Sequence, residues 1–432
     1  MQAQAPRQLN YEDILPVAIE SSSQRREFYP EGGSTYGPNG GTNPNVVRIP
    51  INADAMLDAQ GSYLQFELKN ASGAHTIGLE FPQSIIKRLR ILSGSGTVLE
   101  DIGNYNRLYA GILYPTQASP GFIMESGITA GQNTGDAVAS DTRNTNDQIA
   151  HSTARTMCVH LCSALMNSEK YVPLVMMNAG LILELELDVA NSAGVCSDVA
   201  GCEWTASNFR YIAHLINLQR DFYEKLRIVM EGSGGVLQLA GTTYKHFSGN
   251  WAAHDVSNSI NIPARVKSIK SIVWKNTIEA DVSSHAKFGI SDGVTHGLTE
   301  YQFRIGSVSY PPQSVKFSAT NKGEAYCELR KAFGTLGDYS HGGPLINKDS
   351  YGASAIAGSG SNEQATLSPF ALDLESFPRT SLESGVSTAD RALPITLDLT
   401  AAATDVATTV DVWCMCDAIF YVNLDGSCSV SV

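Results

Sequence analysis

Charge is scarce in this chain. Only 17% of its 432 residues are Asp, Glu, Lys or Arg, against about 25% in an average soluble protein. Its wet surface must rely on Ser, Thr, Asn and Gly, as in β-rich proteins that work packed against copies of themselves. Basic runs are missing as well. The net charge is −13, and the nearest approaches to a basic cluster are the pairs Arg25-Arg26 and Lys87-Arg88. Duplex affinity comes largely from Lys and Arg neutralising phosphates, so no direct sequence-specific nucleic-acid binding is expected. No run of 18 or more apolar residues occurs, so no transmembrane helix is predicted. The opening MQAQAPRQLNYEDILPV has no charged region followed by an apolar one. Synthesis in a cytosol-like compartment, without secretion, is the expectation.

Chemistry-bearing motifs are also absent. There is no phosphate-binding G-x-x-x-x-G-K-[ST] loop, no H-E-x-x-H and no G-x-G-x-x-G. H-x-H, which a cupin-type metal site would need, does not occur, and neither does C-x-x-C. The eight cysteines lie at 158, 162, 196, 202, 327, 414, 416 and 428. Cys158 and Cys162 could share a metal only on a helix, and no matching His pair follows them. Cys414 and Cys416 share a strand face with Val410, Val412, Ala418 and Phe420, which predicts buried, reduced thiols. The nine His are scattered. Glu184 and Glu186, same-face neighbours at about 7 Å on a strand, fall within the spacing of a glycosidase pair, but such pairs are usually just the wet or interface face of a strand. No catalytic residue, cofactor or metal is therefore expected. The sequon Asn70-Ala-Ser72 is idle without secretion.

What is present is alternation. In SYLQFELKN, Leu64, Phe66 and Leu68 face one way and Gln65, Glu67 and Lys69 the other. In LILELELDV, Leu181, Leu183, Leu185, Leu187 and Val189 oppose Glu184, Glu186 and Asp188. LPITLDLT repeats the theme with Leu393, Ile395, Leu397 and Leu399, and VDVWCMCDAIFYV alternates over a dozen residues. A period of two predicts half-buried antiparallel strands. Helical spacing is brief: Tyr105, Leu108, Tyr109 and Ile112; Phe222, Leu226 and Val229 ahead of Gly232; and Tyr326, Leu329 and Phe333, with Asn321 and Glu324 as a capping box and Gly334 as the stop.

The length suits two domains of about 200 residues. The halves look related. IKRLRIL (86–92) resembles VKSIKSI (266–272), an offset of 180, and the short helices around Leu108 and Leu329 are offset by 221, which places 41 additional residues in the second half. Each half closes on two strong strands. The fold class expected is all-β: two tandem jelly-roll β-sandwiches with short helices in loops and an extended N-terminal arm. The predicted divisions are an arm over 1–44, a first jelly roll over 45–218, a linker helix over 219–233 and a second jelly roll over 234–432. The arm is not basic. Its Leu9, Tyr11, Ile14, Leu15, Arg25 and Arg26 are the candidate assembly residues, expected to pack on a neighbour, so that deleting residues 1–31 would leave the fold and impair assembly.

The strand SYLQFELKN, the pair YVPLVMMNAGLILELEL and FRYIAHLINLQRDFYEKL, the helix GEAYCELRKAFG, and the segments FALDLESFP, SGVSTADRALPITLDL and VDVWCMCDAIFYVNLDGSCSVSV together resemble the double jelly-roll, hexon-like major capsid proteins of double-stranded DNA viruses, such as virophages, Polinton-like viruses and the large nucleocytoplasmic viruses. Their order and spacing carry the resemblance, not any one motif. It implies a non-enzymatic virion protein made in the host cytosol or nucleus. It also implies a homotrimer that tiles an icosahedral shell, with the amino terminus inward and neighbouring capsomers, minor capsid, penton and cement proteins and an inner membrane as partners. The competing expectations are a carbohydrate-binding or adhesin-like tandem sandwich, which would show clustered exposed aromatics, and a minor capsid protein, which would be a single jelly roll.

Overall fold

The computed structural model describes residues 20–75, 77–79, 81–117, 149–190, 194–197, 203–232, 234–284, 290–291, 293–318, 320–337, 346, 351–352, 367–377, 382–390 and 394–432. In chain order the first half contributes β1 (Ser21–Phe28), β2 (Thr35–Tyr36), β3 (Val46–Ile51), β4 (Met56–Asn70), β5 (Ile77–Leu79), β6 (Ile86–Ser93), β7 (Val98–Gly103), β8 (Ala154–Val159), β9 (Leu181–Leu187), β10 (Val195–Ser197) and β11 (Trp204–Leu218). The second contributes β12 (Val236–Trp251), β13 (Ser257–Asn261), β14 (Ile269–Ile278), β15 (Leu298–Ile305), β16 (Val308–Lys316), β17 (Pro369–Asp373), β18 (Ile395–Ala401), β19 (Thr408–Asn423) and β20 (Cys428–Ser431).

The first half builds sheets ordered β1-β11-β4-β8 and β3-β9-β6-β7, and the second builds β12-β19-β14-β17 and β13-β18-β15-β16. Counted through its own eight main strands, each half gives the same two orders, first-eighth-third-sixth and second-seventh-fourth-fifth. That is the eight-stranded jelly roll, present twice. Alternation explains why the strands form. Leu64, Phe66 and Leu68, and likewise Leu181, Leu183, Leu185 and Leu187, are wholly buried. Each such side chain contributes about 1.5–3 kcal/mol of burial.

The duplication changes one expectation. IKRLRIL lies on β6, the fourth strand of its sandwich, whereas VKSIKSI leads into β14, the third strand of the other. These are not equivalent strands, so the 41 additional residues disappear. The true counterpart of β6 is β15. The closing pairs, β9 with β11 and β18 with β19, do correspond. The match failed because short apolar-basic strands look alike wherever they sit.

Two local expectations also change. The helix Gly323–Ala332 starts after Lys322 with no side-chain cap. Glu324 instead accepts the Lys316 backbone N–H at 3.0 Å, tying the helix to β16. In the helix Arg220–Gly232, Met230 is the buried residue and Val229 is exposed. Within the span read as arm, Ser21–Phe28 is a strand of the first sandwich, paired antiparallel with β11 from Ser21 opposite Leu218 to Phe28 opposite Tyr211. Backbone pairing holds it, since only Phe28 among its residues is buried.

Candidate functional site

Among the described residues, no three or more His, Cys, Asp or Glu side chains are placed to hold a metal ion, and no helix is long and apolar enough to cross a membrane. Cys158 lies on β8, a strand, so its spacing to Cys162 has no helical geometry. Glu184 is engaged by Arg48 at 3.3 Å and by Arg90 on the outer face of the first sandwich, where it acts as an ion-pair anchor. All four tryptophans are fully buried and offer no aromatic platform to a sugar. Arg25 and Arg26 sit exposed on β1. Arg25 donates to Glu27 at 3.0 Å, and Arg26 lies over the Phe28 ring at 5.0 Å. Leu9, Tyr11, Ile14 and Leu15 lie outside the described residues.

The most elaborate chemistry lies where the sandwiches meet. The central strand β19 is buried on both faces over most of its length. One face, with Val412 and Cys414, lines the core of the second sandwich. The other presents Asp411 and Trp413 to the first sandwich. Three donors converge on the Asp411 carboxylate: Arg107 Nη1 gives a bond of 2.7 Å to Oδ2, Asn104 Nδ2 one of 3.0 Å to Oδ1, and His246 Nε2 lies 2.9 Å from Oδ1. Burial alone would raise the pKa of this carboxyl, but His246 and Arg107 together hold it well below the usual carboxylate range. Asn104 reaches in from a left-handed backbone, φ 46°, a conformation that asparagine tolerates. Trp413 Nε1 donates to the Gly103 carbonyl at 3.2 Å.

A second carboxylate, Glu100 on β7, closes the lower part of this seam. It is fully buried and accepts bonds from Ser163 Oγ, from Ala164 N–H at 2.9 Å and, across the seam, from Thr243 Oγ1 at 2.8 Å. Burial pushes its pKa up, and these donors only partly offset that. The backbones approach closely here. A Cβ on Gly241 would lie 2.8 Å from the Ala164 carbonyl, and one on Gly111 would lie 2.9 Å from Lys275 Nζ. At Gly241, where the obstacle is backbone, only glycine fits.

Among the described residues, the corresponding sheet face of the first sandwich is open. On the outer side of β1-β11-β4-β8, Arg210 donates to Gln65 and Glu27, each at 3.1 Å, Tyr29 donates to Glu27 at 2.9 Å, and Asn208 donates to Glu67 at 2.9 Å. A groove of about 440 Å³ runs among Tyr29, Gln65, Glu67, Thr156, Asn208 and Arg210. Neither the seam nor this face was read from the sequence. The one signal available was Trp413 and Met415 standing on the supposedly wet side of β19.

No family model matches the sequence, and no curated protein matches it. Solved structures do. The PBCV-1 protein VP54, as fitted into a reconstruction of the virophage Sputnik, superposes with a TM-score of 0.63 over 98% of this chain and 99% of its own, at 11% identity. The Faustovirus major capsid protein gives 0.58 over 95% and 92%, at 9% identity. The mavirus major capsid protein gives 0.55 over 100% and 95%, at 12% identity. The strand orders and these superpositions agree: the chain has the double jelly-roll fold that these viral capsid proteins share.

Proposed function

We propose that this protein is the major capsid protein of an icosahedral double-stranded DNA virus, and that it acts as a homotrimeric building block without catalysis. One observation carries the reading: a single chain holds two complete jelly rolls of identical strand order, locked together by a buried seam. Three such two-lobed bodies present six similar lobes, a pseudo-hexagonal tile that fills a flat facet with one gene product. The likeness to the capsid proteins named above supports it, as does the low charge. Partners are then a second and third copy, neighbouring capsomers, penton, minor and cement proteins, and an inner membrane. The segment before β1, with Leu9, Tyr11, Ile14 and Leu15, is the arm that reaches them, flanked by Arg25 and Arg26 at its root.

Light scattering of the purified chain tests this. A trimer mass is expected, with hexagonal tiles or cages in negative-stain images. A protein that stays monomeric at high concentration would sink the proposal.

A further inference from the structure

The helix Arg220–Gly232, which joins the two sandwiches, has little beneath it. The helix Gly323–Ala332 buries Ala325 and Leu329 and packs on β17. Arg220–Gly232 is longer, yet among its residues only Met230 is buried. Phe222, Leu226 and Val229 recur at helical spacing and form one stripe. Tyr223 and Met230 lie along one margin of that stripe, where Tyr223 Oη accepts the Leu218 N–H at 3.2 Å. The other margin faces outward: Val229 is 61% exposed, and Phe222 and Leu226 are only half-buried. Ile228, 66% exposed, stands about 100° further round the helix, off the stripe. An apolar stripe left partly in water marks a contact surface.

The start of β1 shows what the chain itself can lay there. Glu20, the first described residue, accepts a hydrogen bond from Gln219 Nε2, and Ser21 pairs with Leu218. The residue before the helix is thus tied to the residue that follows the amino-terminal segment. Residues 14–19 of that segment lie outside the described residues and read ILPVAI. They carry no charge, and acids bracket them, Glu12 and Asp13 before and Glu20 after. Pro16 has no N–H and is out of place in a helix interior or a central strand, so an extended form held by side chains suits the run. Thirteen helical residues rise about 20 Å, and six extended residues span about the same. The apolar run is therefore as long as the helix and begins at its end.

We propose that residues 14–19 lie extended along the exposed margin of the helix Arg220–Gly232 of their own chain, with Leu15, Val17 and Ile19 turned to Phe222, Leu226 and Val229. The period of an extended chain puts those three on one side. The same chain is favoured over a second copy because no linker separates the run from the helix, and effective concentration is highest where the tether is short and spans the gap. A neighbour's segment would have to displace one already in place. The consequence is direction. Residues before 14, Leu9 and Tyr11 among them, leave from the far end of the helix, about 20 Å from the start of β1. The docking itself does not require the capsid reading; what Leu9 and Tyr11 then meet does.

Hydrogen exchange read by mass spectrometry tests the docking. Removing residues 1–19 should make the peptide 219–232 exchange about ten-fold faster or more, the scale of uncovering one or two apolar side chains. Removing residues 1–13 should not. Peptides from β4 and β19 should exchange alike in all three proteins, which shows the sandwiches intact. Melting is not the readout, since a helix with one buried residue opens below the global transition. Leu15→Asp combined with Val17→Asp should reproduce the longer deletion without shortening the chain. A photo-crosslinking residue, p-benzoylphenylalanine, in place of Val17 identifies whose helix is covered. In a mixture of isotopically light and heavy chains, its link to the peptide 219–232 should join like with like. Val229→Asp should abolish the link, and Ile228→Asp should keep it. Links between light and heavy chains would give the helix to a second copy and overturn the proposal. A peptide 219–232 that ignores both deletions overturns it too, and protection of that peptide by vesicles of anionic lipid would then make it a membrane-facing helix. Neither result alters the trimer mass by which the capsid reading is tested.

Discussion

Asp411 and Glu100 hold one seam in opposite electrostatic regimes. Replacing Asp411 by Ala leaves the Arg107 guanidinium, almost entirely buried, without its counter-charge. Breaking one side of a buried ion pair costs about 3–5 kcal/mol, so Asp411→Ala should show a correspondingly lower unfolding free energy in urea at pH 7. A change under 1 kcal/mol would mean that the pair is idle. The pH signs also differ. The folded pKa of Asp411 is depressed. Its contribution is present above the unfolded value of about 3.9 and is lost as pH falls toward the folded one. The pKa of Glu100 is raised. The stability associated with its protonated form is complete below the unfolded value of about 4.3 and declines as pH rises through the folded one. Glu100→Gln removes that decline. Relative to the parent, the variant should gain stability as pH is raised from 4 to 8 in a series of urea titrations, and parallel curves would refute the assignment.

At the scale of elements, β1 decides how the amino-terminal segment is to be tested. Removing residues 1–19 leaves all eight paired positions between β1 and β11. Removing 1–31 strips the strand and bares an edge of the first sheet, a template for aggregation. The shorter deletion should melt like the full chain, and the longer one should melt lower and scatter light on heating. Identical melting of the two would show that β1 adds nothing. The segment Ser21–Phe28 could not be read as a strand because SSSQRREF carries no alternation, and an edge strand held by its backbone needs none. β4, β9 and β18 were legible, since each buries one face and wets the other. β19 was legible as a strand but not as a seam. Arg107 and Asp411 are 304 residues apart, and no local period links them. The duplication has a chemical trace that matching of residue types also misses. Arg90 on β6 pairs with Glu184 on β9, and Arg304 on β15 pairs with Asp398 on β18 at 3.0 Å. The same two strands of each sandwich carry the same ion pair, written once with Glu and once with Asp.

For the whole molecule, the low charge and the buried seam belong together. A single apolar cluster runs through both sandwiches, from Val47 and Leu64 to Trp274 and Val422, and joins the two lobes into one core. A rigid two-lobed body suits repeated docking, because no hinge freedom between the lobes has to be lost at each contact. The scarcity of Lys and Glu suits it as well, since fewer strongly hydrated groups must be stripped of water when copies meet.

The place of β19 has a consequence in time. In each sandwich the last long strand, β11 or β19, lies between the first and the third, so neither sandwich can close until that strand leaves the ribosome. The first sandwich is complete once residue 218 has emerged, whereas Asp411 and Trp413, the groove's counterpart within the chain, come almost 200 residues later. At ~5–20 residues per second that interval is on the order of ten seconds or more. Throughout it the Gly103–Leu113 segment of the first sandwich is already made, while β19, the strand that receives it, is not. Birth order thus leaves Arg107 without its counter-charge, Asp411, until the last long strand of the chain has been made.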